Sequence, residues 1–218
     1  MNIKGVIFDL DGLLIDTEKL YQRFWREASK ECGYTMTREQ ALQLRSLDKN
    51  LAKQLLSEWF GKEFSYQKVK EIRIKLMNDY IEKNGIKAKD GAAELAVYLK
   101  ENGYKLAIAT ATNYERTNYH LQLAGLREYF DNIICASNLE HGKPYPDVYL
   151  YACKKLDLEP CECLALEDSP NGIKSAYSAG CITVCVPDNS DEDDEINPYI
   201  NYHAKSLKDV IEIIENMK

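Results

Sequence analysis

"VIFDLDGLLIDTE", from Val6 to Glu18, is the stretch on which the fold turns. Its apolar run breaks at Asp9, resumes at Leu10, breaks again at Asp11, and turns apolar once more before Asp16 and Glu18. Four acids thus interrupt what otherwise reads as a buried strand, and burying an ionised carboxylate without a partner is expensive. We read Ile3–Phe8 as a core strand that ends at a site needing both Asp9 and Asp11. Residues two apart on a strand face one side, so the pair shares a direction where the strand runs into a turn. Asp16 and Glu18 read as hinge and helix-start residues, since acids favour a helix N-terminus.

Downstream, the pattern from Thr17 to Gly85 is helical throughout. Val69, Ile72, Leu76 and Tyr80 mark one apolar face within it. After "KDG" (Lys89–Gly91) strands and helices alternate. Strands are expected at Leu106–Thr112, Asn132–Ser137, Cys163–Ser169 and Cys181–Val186. A last amphipathic helix carries Leu207, Val210, Ile211 and Ile214. Such alternation predicts an α/β fold with a doubly wound parallel sheet. The helical block interrupts it directly after the first strand. The expected organisation is a Rossmann-like core of residues 1–16 and 88–218 with an inserted α-helical cap of residues 17–87. The charge run "DNSDEDDEINP" (Asp188–Pro198) reads as a solvated loop, because like charges resist packing.

Composition bounds the function. The 218 residues are 45% hydrophobic and carry a net charge of −7, an ordinary globular balance with a core large enough to need no staple. No basic stripe with interleaved aromatics argues for nucleic acid. No run approaches the roughly 20 apolar residues that span a bilayer. The seven cysteines do not match paired zinc-ligand spacings, and with no secretory leader they read as reduced thiols of a cytoplasmic protein. A monomer is expected.

In open α/β sheets, ligands bind beyond the carboxyl ends of the strands. The first strand delivers Asp9 and Asp11 there, the second Thr110, Ala111 and Thr112, the loop after the third Lys143, and the fourth Glu167 and Asp168. Clustered carboxylates repel by about 4 kcal/mol per pair at ~4 Å and an effective dielectric of 20. Lys143 supplies one compensating charge. A hard divalent cation supplies the remainder, and Mg²⁺ suits a few carboxylates combined with waters and phosphate oxygens. A hydroxyl at Thr110, a lysine and a metal make a phosphate site. Within it Asp9 suits a covalent nucleophile and Asp11 a general acid that later acts as base. Each piece alone has a plainer reading, and "LEDS" alone is a helix cap at Asp168 or Ser169. The ordered arrival of all four clusters, each after a core strand, gives the pattern its weight.

"FDLDG", "ATAT", "GKPYPD" and "LEDSPNG" resemble the four motifs of the haloacid dehalogenase superfamily. The likeness is to its branch containing β-phosphoglucomutase and sugar-phosphate phosphatases, and it covers essentially the whole chain. The resemblance implies that Asp9 forms an aspartyl-phosphate and that Asp11 adds a backbone carbonyl to the Mg²⁺ shell. It implies that Thr110, the Ala111 N–H and Lys143 hold the phosphoryl group, and that Asp168 ligates Mg²⁺ with Glu167 as ligand or water holder. The departures lie toward the cap. Tyr21 stands where the mutases carry histidine, and Arg45–Ser46 where they carry Lys-Gly. Tyr21, Arg45 and Lys49 become candidate substrate contacts, the two cations for a second anionic group. The implied activity is a Mg²⁺-dependent phosphatase acting on a small phosphorylated metabolite, with a sugar phosphomutase as the alternative. A third class, a non-catalytic aspartyl-phosphate signalling or binding protein, shares the acids, hydroxyl and lysine but not the helical insertion or "LEDS".

Overall fold

The computed structural model describes residues 2–188 and 194–217. Six parallel strands form one sheet in the order β3-β2-β1-β4-β5-β6: β1 (Gly5–Phe8), β2 (Lys105–Thr110), β3 (Asn132–Cys135), β4 (Cys163–Glu167), β5 (Ile182–Cys185) and β6 (Tyr202–His203). The doubly wound α/β expectation is met, and the strand order reverses beside β1. There Phe8 is in register with Ile108 of β2 and Leu166 of β4. β6 was not anticipated, since Tyr202–His203 is too short to show an apolar period. β1 ends at Phe8 as expected, and β2 to β5 end one or two residues early, for β2 and β4 because Ala111, Thr112, Asp168 and Ser169 turn out of the sheet to form the site.

Side-chain alternation builds the two faces. Val6, Phe8, Leu106, Ile108, Leu164 and Leu166 pack on one side, under α5 (Ala92–Glu101) and α9 (Asp209–Glu215). The small residues Ala107, Ala109 and Ala165 fall on the other, where α7 (Asp147–Leu156) seats Val148, Tyr149 and Ala152 against them. Strands buried on both faces read as continuous apolar runs, which is why β1 is buried at every position.

Between β1 and β2 lies a helical block: α1 (Glu18–Glu31), α2 (Arg38–Gln43), α3 (Lys49–Phe60) and α4 (Tyr66–Asn84). It has its own cluster, including Trp25, Leu44, Leu56 and Val69. The two chain crossings into it pair with each other, Asp16 N–H donating to Lys87 C=O (3.1 Å) and Lys89 N–H to Leu14 C=O (2.9 Å). On α4 the fully buried positions are Val69, Arg73, Met77 and Ile81. The expected stripe through Ile72, Leu76 and Tyr80 is half-buried and flanks them. The face is rotated because an arginine, not an apolar residue, occupies its middle.

The solvated-loop expectation for 188–198 needs correction at both ends. Asp188 is buried and ion-paired with Lys89, and Ile196 packs on Ile173 and Cys185. Residues 189–193 lie outside the described residues. All seven cysteines are free thiols. Among the described residues no helix is long and apolar enough to cross a membrane.

Candidate active site

The carboxyl ends of β1, β2 and β4 bring Asp9, Thr110, Glu167 and Asp168 together, all buried, with Lys143 fully enclosed beside them. Asp9 N–H continues the sheet by donating to Leu166 C=O (3.0 Å), which fixes the backbone just where the side chain departs. Lys143 Nζ donates to Asp9 Oδ1 and Glu167 Oε1, each at 2.5 Å, and to Ala109 C=O at 3.0 Å. Burial alone would lower this ammonium's pKa, but the Asp9 and Glu167 carboxylates override it and hold the lysine above its ordinary value.

Carboxylate oxygens of Asp9, Glu167 and Asp168 converge within 4.8 Å. Glu167 is held by three side chains: besides Lys143 it accepts from Tyr149 Oη (2.6 Å) and Ser169 Oγ (3.1 Å). Asp9 Oδ2 and both oxygens of Asp168 are buried with no hydrogen-bond partner. Burial, followed by repulsion from Glu167, raises Asp9 to about 8 despite Lys143, and burial drives Asp168 well above the usual carboxylate range. Orphaned, mutually repelling oxygens of this kind fit a hard divalent cation with oxygen ligands.

Two glycines make the cluster sterically possible. At Gly12 (φ +96°) a Cβ would lie 2.2 Å from Asp168 Oδ2, and at Gly172 one would lie 2.0 Å from the Glu167 carboxylate. Ser169 caps α8 (Pro170–Ser178) by accepting from Gly172 N–H at 3.1 Å, so of the two expected capping residues the serine takes the role and Asp168 is left for the cluster.

Asp11 stands apart from the acidic triad. Its carboxylate accepts from Thr17 Oγ1 (2.8 Å) and Thr112 Oγ1 (2.7 Å). Tyr21 Oη lies 3.1 Å from Thr112 Oγ1 and 3.5 Å from Asp11 Oδ2, and Arg116 Nη2 donates to Tyr21 Oη at 3.3 Å. Thr17, at the start of α1, thus spends its hydroxyl on Asp11 and not on capping the helix.

A cavity of about 260 Å³ opens over these groups, lined by Asp9, Asp11, Thr110, Ala111 and Lys143 below and by Tyr21, Arg45, Lys49 and Arg73 from the helical block. Lys49 is exposed at the start of α3. Arg45, expected to face a ligand's second anion, is committed elsewhere: Nη2 donates to Asp168 C=O (2.6 Å) and Nη1 lies 3.9 Å from Asp168 Oδ2. Asp48 clasps the Lys143 loop, accepting from Gly142 N–H (2.8 Å) and donating its own N–H to Lys143 C=O (2.7 Å).

Thr17, Asp48, Tyr149, Arg73 and Arg116 were not singled out from the sequence. Only Arg73 left a trace there, a charge four residues after Val69 on an apolar face.

The comparisons with known proteins agree with this geometry. The model of the haloacid dehalogenase-like hydrolase family matches residues 6–186. Hexitol phosphatase B of Escherichia coli O157:H7 is 30% identical over 213 residues, covering 95% of this chain and 94% of that protein. A phosphorylated carbohydrates phosphatase of Thermotoga maritima is 29% identical over 178 residues, 82% of each chain. In fold, the chain matches the crystal structure of β-phosphoglucomutase from Clostridium difficile with a TM-score of 0.84 at 23% identity, over 98% of this chain and 96% of that one. With one family model spanning both the helical block and the sheet through β5, the chain belongs to the haloacid dehalogenase-like hydrolases, as an enzyme of their phosphoric monoester-hydrolysing kind.

Proposed function

We propose that the chain is a Mg²⁺-dependent phosphatase that hydrolyses a small phosphorylated metabolite of the sugar class through an aspartyl-phosphate on Asp9. Residues 17–87 act as the cap over a core of residues 1–16 and 88–218, and the enzyme works in the cytoplasm as a monomer. The observation that carries the reading is Asp9 itself. One oxygen is held by Lys143 while the other, Oδ2, is buried and free beside the orphaned oxygens of Asp168.

Asp9, Asp168 and, through its remaining lone pairs or a water, Glu167 would hold the cation, with the Asp11 carbonyl completing its protein ligands. The metal supplies charge neutralisation that lets an anionic substrate approach an anionic nucleophile. Asp9 attacks phosphorus through Oδ2. Lys143, the Thr110 hydroxyl and the Ala111 N–H hold the phosphoryl oxygens. Asp11, oriented by Thr17 and Thr112, protonates the leaving oxygen and then takes a proton from the water that opens the aspartyl-phosphate. Tyr21, Arg45 and Lys49 shape the cavity's far side. Tyr21 offers no imidazole at the position where the related mutases carry one, which favours hydrolysis over protected transfer.

Phosphate release from a panel of phosphorylated sugars and polyols, with Mg²⁺ present, tests the proposal. Turnover is expected for at least one, with a loss of at least ~1,000-fold in Asp9→Asn, as a missing nucleophile demands. Activity that survives this substitution would sink the mechanism. Sugar-phosphate isomerisation without net phosphate release, in the presence of a bisphosphate primer, would mark a mutase. A stable protein-bound phosphate label without turnover would mark the signalling alternative.

A further inference from the structure

Besides Arg45 and Lys143, four cations of a chain of net charge −7 line one cavity: Lys49, Lys70, Arg73 and Arg116. Among the described residues none of them makes a salt bridge. Arg73 is 6% exposed, and its guanidinium lies over the rings of Tyr21 (4.9 Å) and Trp25 (4.7 Å). Those contacts cover the faces of the guanidinium and leave the in-plane donors uncommitted; Nε is buried without a partner. Arg116 approaches from α6 (Tyr114–Leu123), donating to Tyr21 Oη and lying 3.9 Å from Met77 Sδ, and its Nε is likewise buried and unpartnered.

Of the carboxylates lining the same cavity, Asp11, Glu18 and Asp48 are engaged elsewhere, Asp9 belongs to the acidic cluster at the strand ends, and Glu140 is exposed beside His141. Asp48 accepts from Gly142, Asn50 and Leu51 N–H groups, Asp11 from two threonines, and Glu18 lies beside Arg45. A guanidinium stays charged at any physiological pH, so holding Arg73 buried and Arg116 half-buried, each with an unpartnered Nε, is a standing cost that a ligand anion would remove. Lys70 senses the same field: burial first, then Arg73, Arg116, Lys49 and Lys53, push its ammonium down.

We propose that Arg73 and Arg116 bind a second anionic group on the non-reacting end of the substrate, so that the enzyme prefers phosphorylated acids or bisphosphates to phosphorylated polyols. This rests on the phosphatase reading for the first phosphate only. Arg116 Nη2 is separated from Asp11 by one hydroxyl, that of Tyr21, at 3.3 and 3.5 Å. The second anion therefore lies a short carbon chain from the transferring group. Arg45 and Lys49 are not its principal holders, since Arg45 is bound to Asp168 and Lys49 is exposed.

The test is calorimetric binding to the Asp9→Asn protein with Mg²⁺, using matched ligands. The three-carbon pair is glycerate and glycerol, each carrying a terminal phosphate. The six-carbon set is gluconate and glucitol with a terminal phosphate, plus glucitol phosphorylated at both ends. At one chain length or the other, the acid or bisphosphate is expected to bind about tenfold more tightly than its polyol phosphate. The preference should shrink in high salt and fall below about threefold when Arg73→Met and Arg116→Met are added. The pair Arg73→Lys and Arg116→Lys, which keeps charge and tests for mere loss of fold, should retain part of it. A preference below about threefold at both lengths, or one that survives both methionine substitutions, overturns the proposal. Phosphate release by the unaltered enzyme is read separately. If it releases none while Asp9→Asn still favours the acids, the hydrolytic reading fails and the anion site stands.

Discussion

The two walls of the cavity carry buried charge in opposite ways. At the strand ends, Asp9 and Glu167 share Lys143 while Asp168 has Arg45 at 3.9 Å, and the excess is negative. Opposite them, Arg73 of the helical block is buried against aromatic rings and Arg116 of α6 is half-buried against a hydroxyl, and the excess is positive. The first wall fits a divalent cation and the phosphate it brings. The second fits an anion with no metal between. The contrast teaches that burial alone does not mark a ligand site; burial with an uncompensated sign does. Tyr149 and Ser169 tie Glu167 down so completely that it serves the first wall as an anchor more than as an open ligand.

Substitutions can break that contrast. Lys143→Met removes the ammonium bonded to both Asp9 and Glu167. We expect a loss of roughly 3–5 kcal/mol at pH 8 in the absence of metal, measured by chemical denaturation, because breaking a buried pair strands its partners. Glu18→Gln should act more weakly and with a pH signature. Burial raises Glu18 to about 7 from 4.5, offset in part by Arg45. The folded state therefore binds this proton more tightly than the unfolded chain, and the wild type loses stability as pH rises through about 7. The variant lacks that loss, so its advantage should widen by up to about 3 kcal/mol between pH 5 and pH 8. A pH-independent difference between the two proteins would place the titration elsewhere. Arg73→Met should have the smallest effect on stability, within about 1 kcal/mol and in the stabilising direction, since it removes an unpaired buried charge while keeping apolar volume. A loss as large as that of Lys143→Met would mean that Arg73 is a paired structural residue, and the two walls would no longer differ in kind.

Much of the site was legible because each strand-end cluster is local. Asp9 and Asp11, Thr110 and Ala111, and Glu167 and Asp168 follow directly on apolar strands, and a parallel sheet carries such ends to one edge. The helices between Thr17 and Gly85 were legible as a block for the same reason, their apolar period. What stayed hidden was pairing through space. Arg45 and Lys49 looked equivalent as neighbouring basic residues, yet one turns onto Asp168 and the other stays exposed. Thr17, which no local pattern singled out, holds Asp11. Arg73, also not singled out from the sequence, occupies the centre of its helix's buried face.

By itself, the sequence determined where five of the six strands fall, the helical block after the first, the parallel α/β class, and which strand ends carry acids, a hydroxyl and a lysine. These follow from hydrophobic period and from residues adjacent in the chain. The tertiary structure alone decided which of those charges are answered. It set Lys143 between Asp9 and Glu167, left Asp9 Oδ2 and both Asp168 oxygens without hydrogen-bond donors, and brought Arg73 of α4 and Arg116 of α6 into one cavity with no acid among the described residues bound to either. Charge compensation is set at contact distance between distant segments, and no local pattern encodes it.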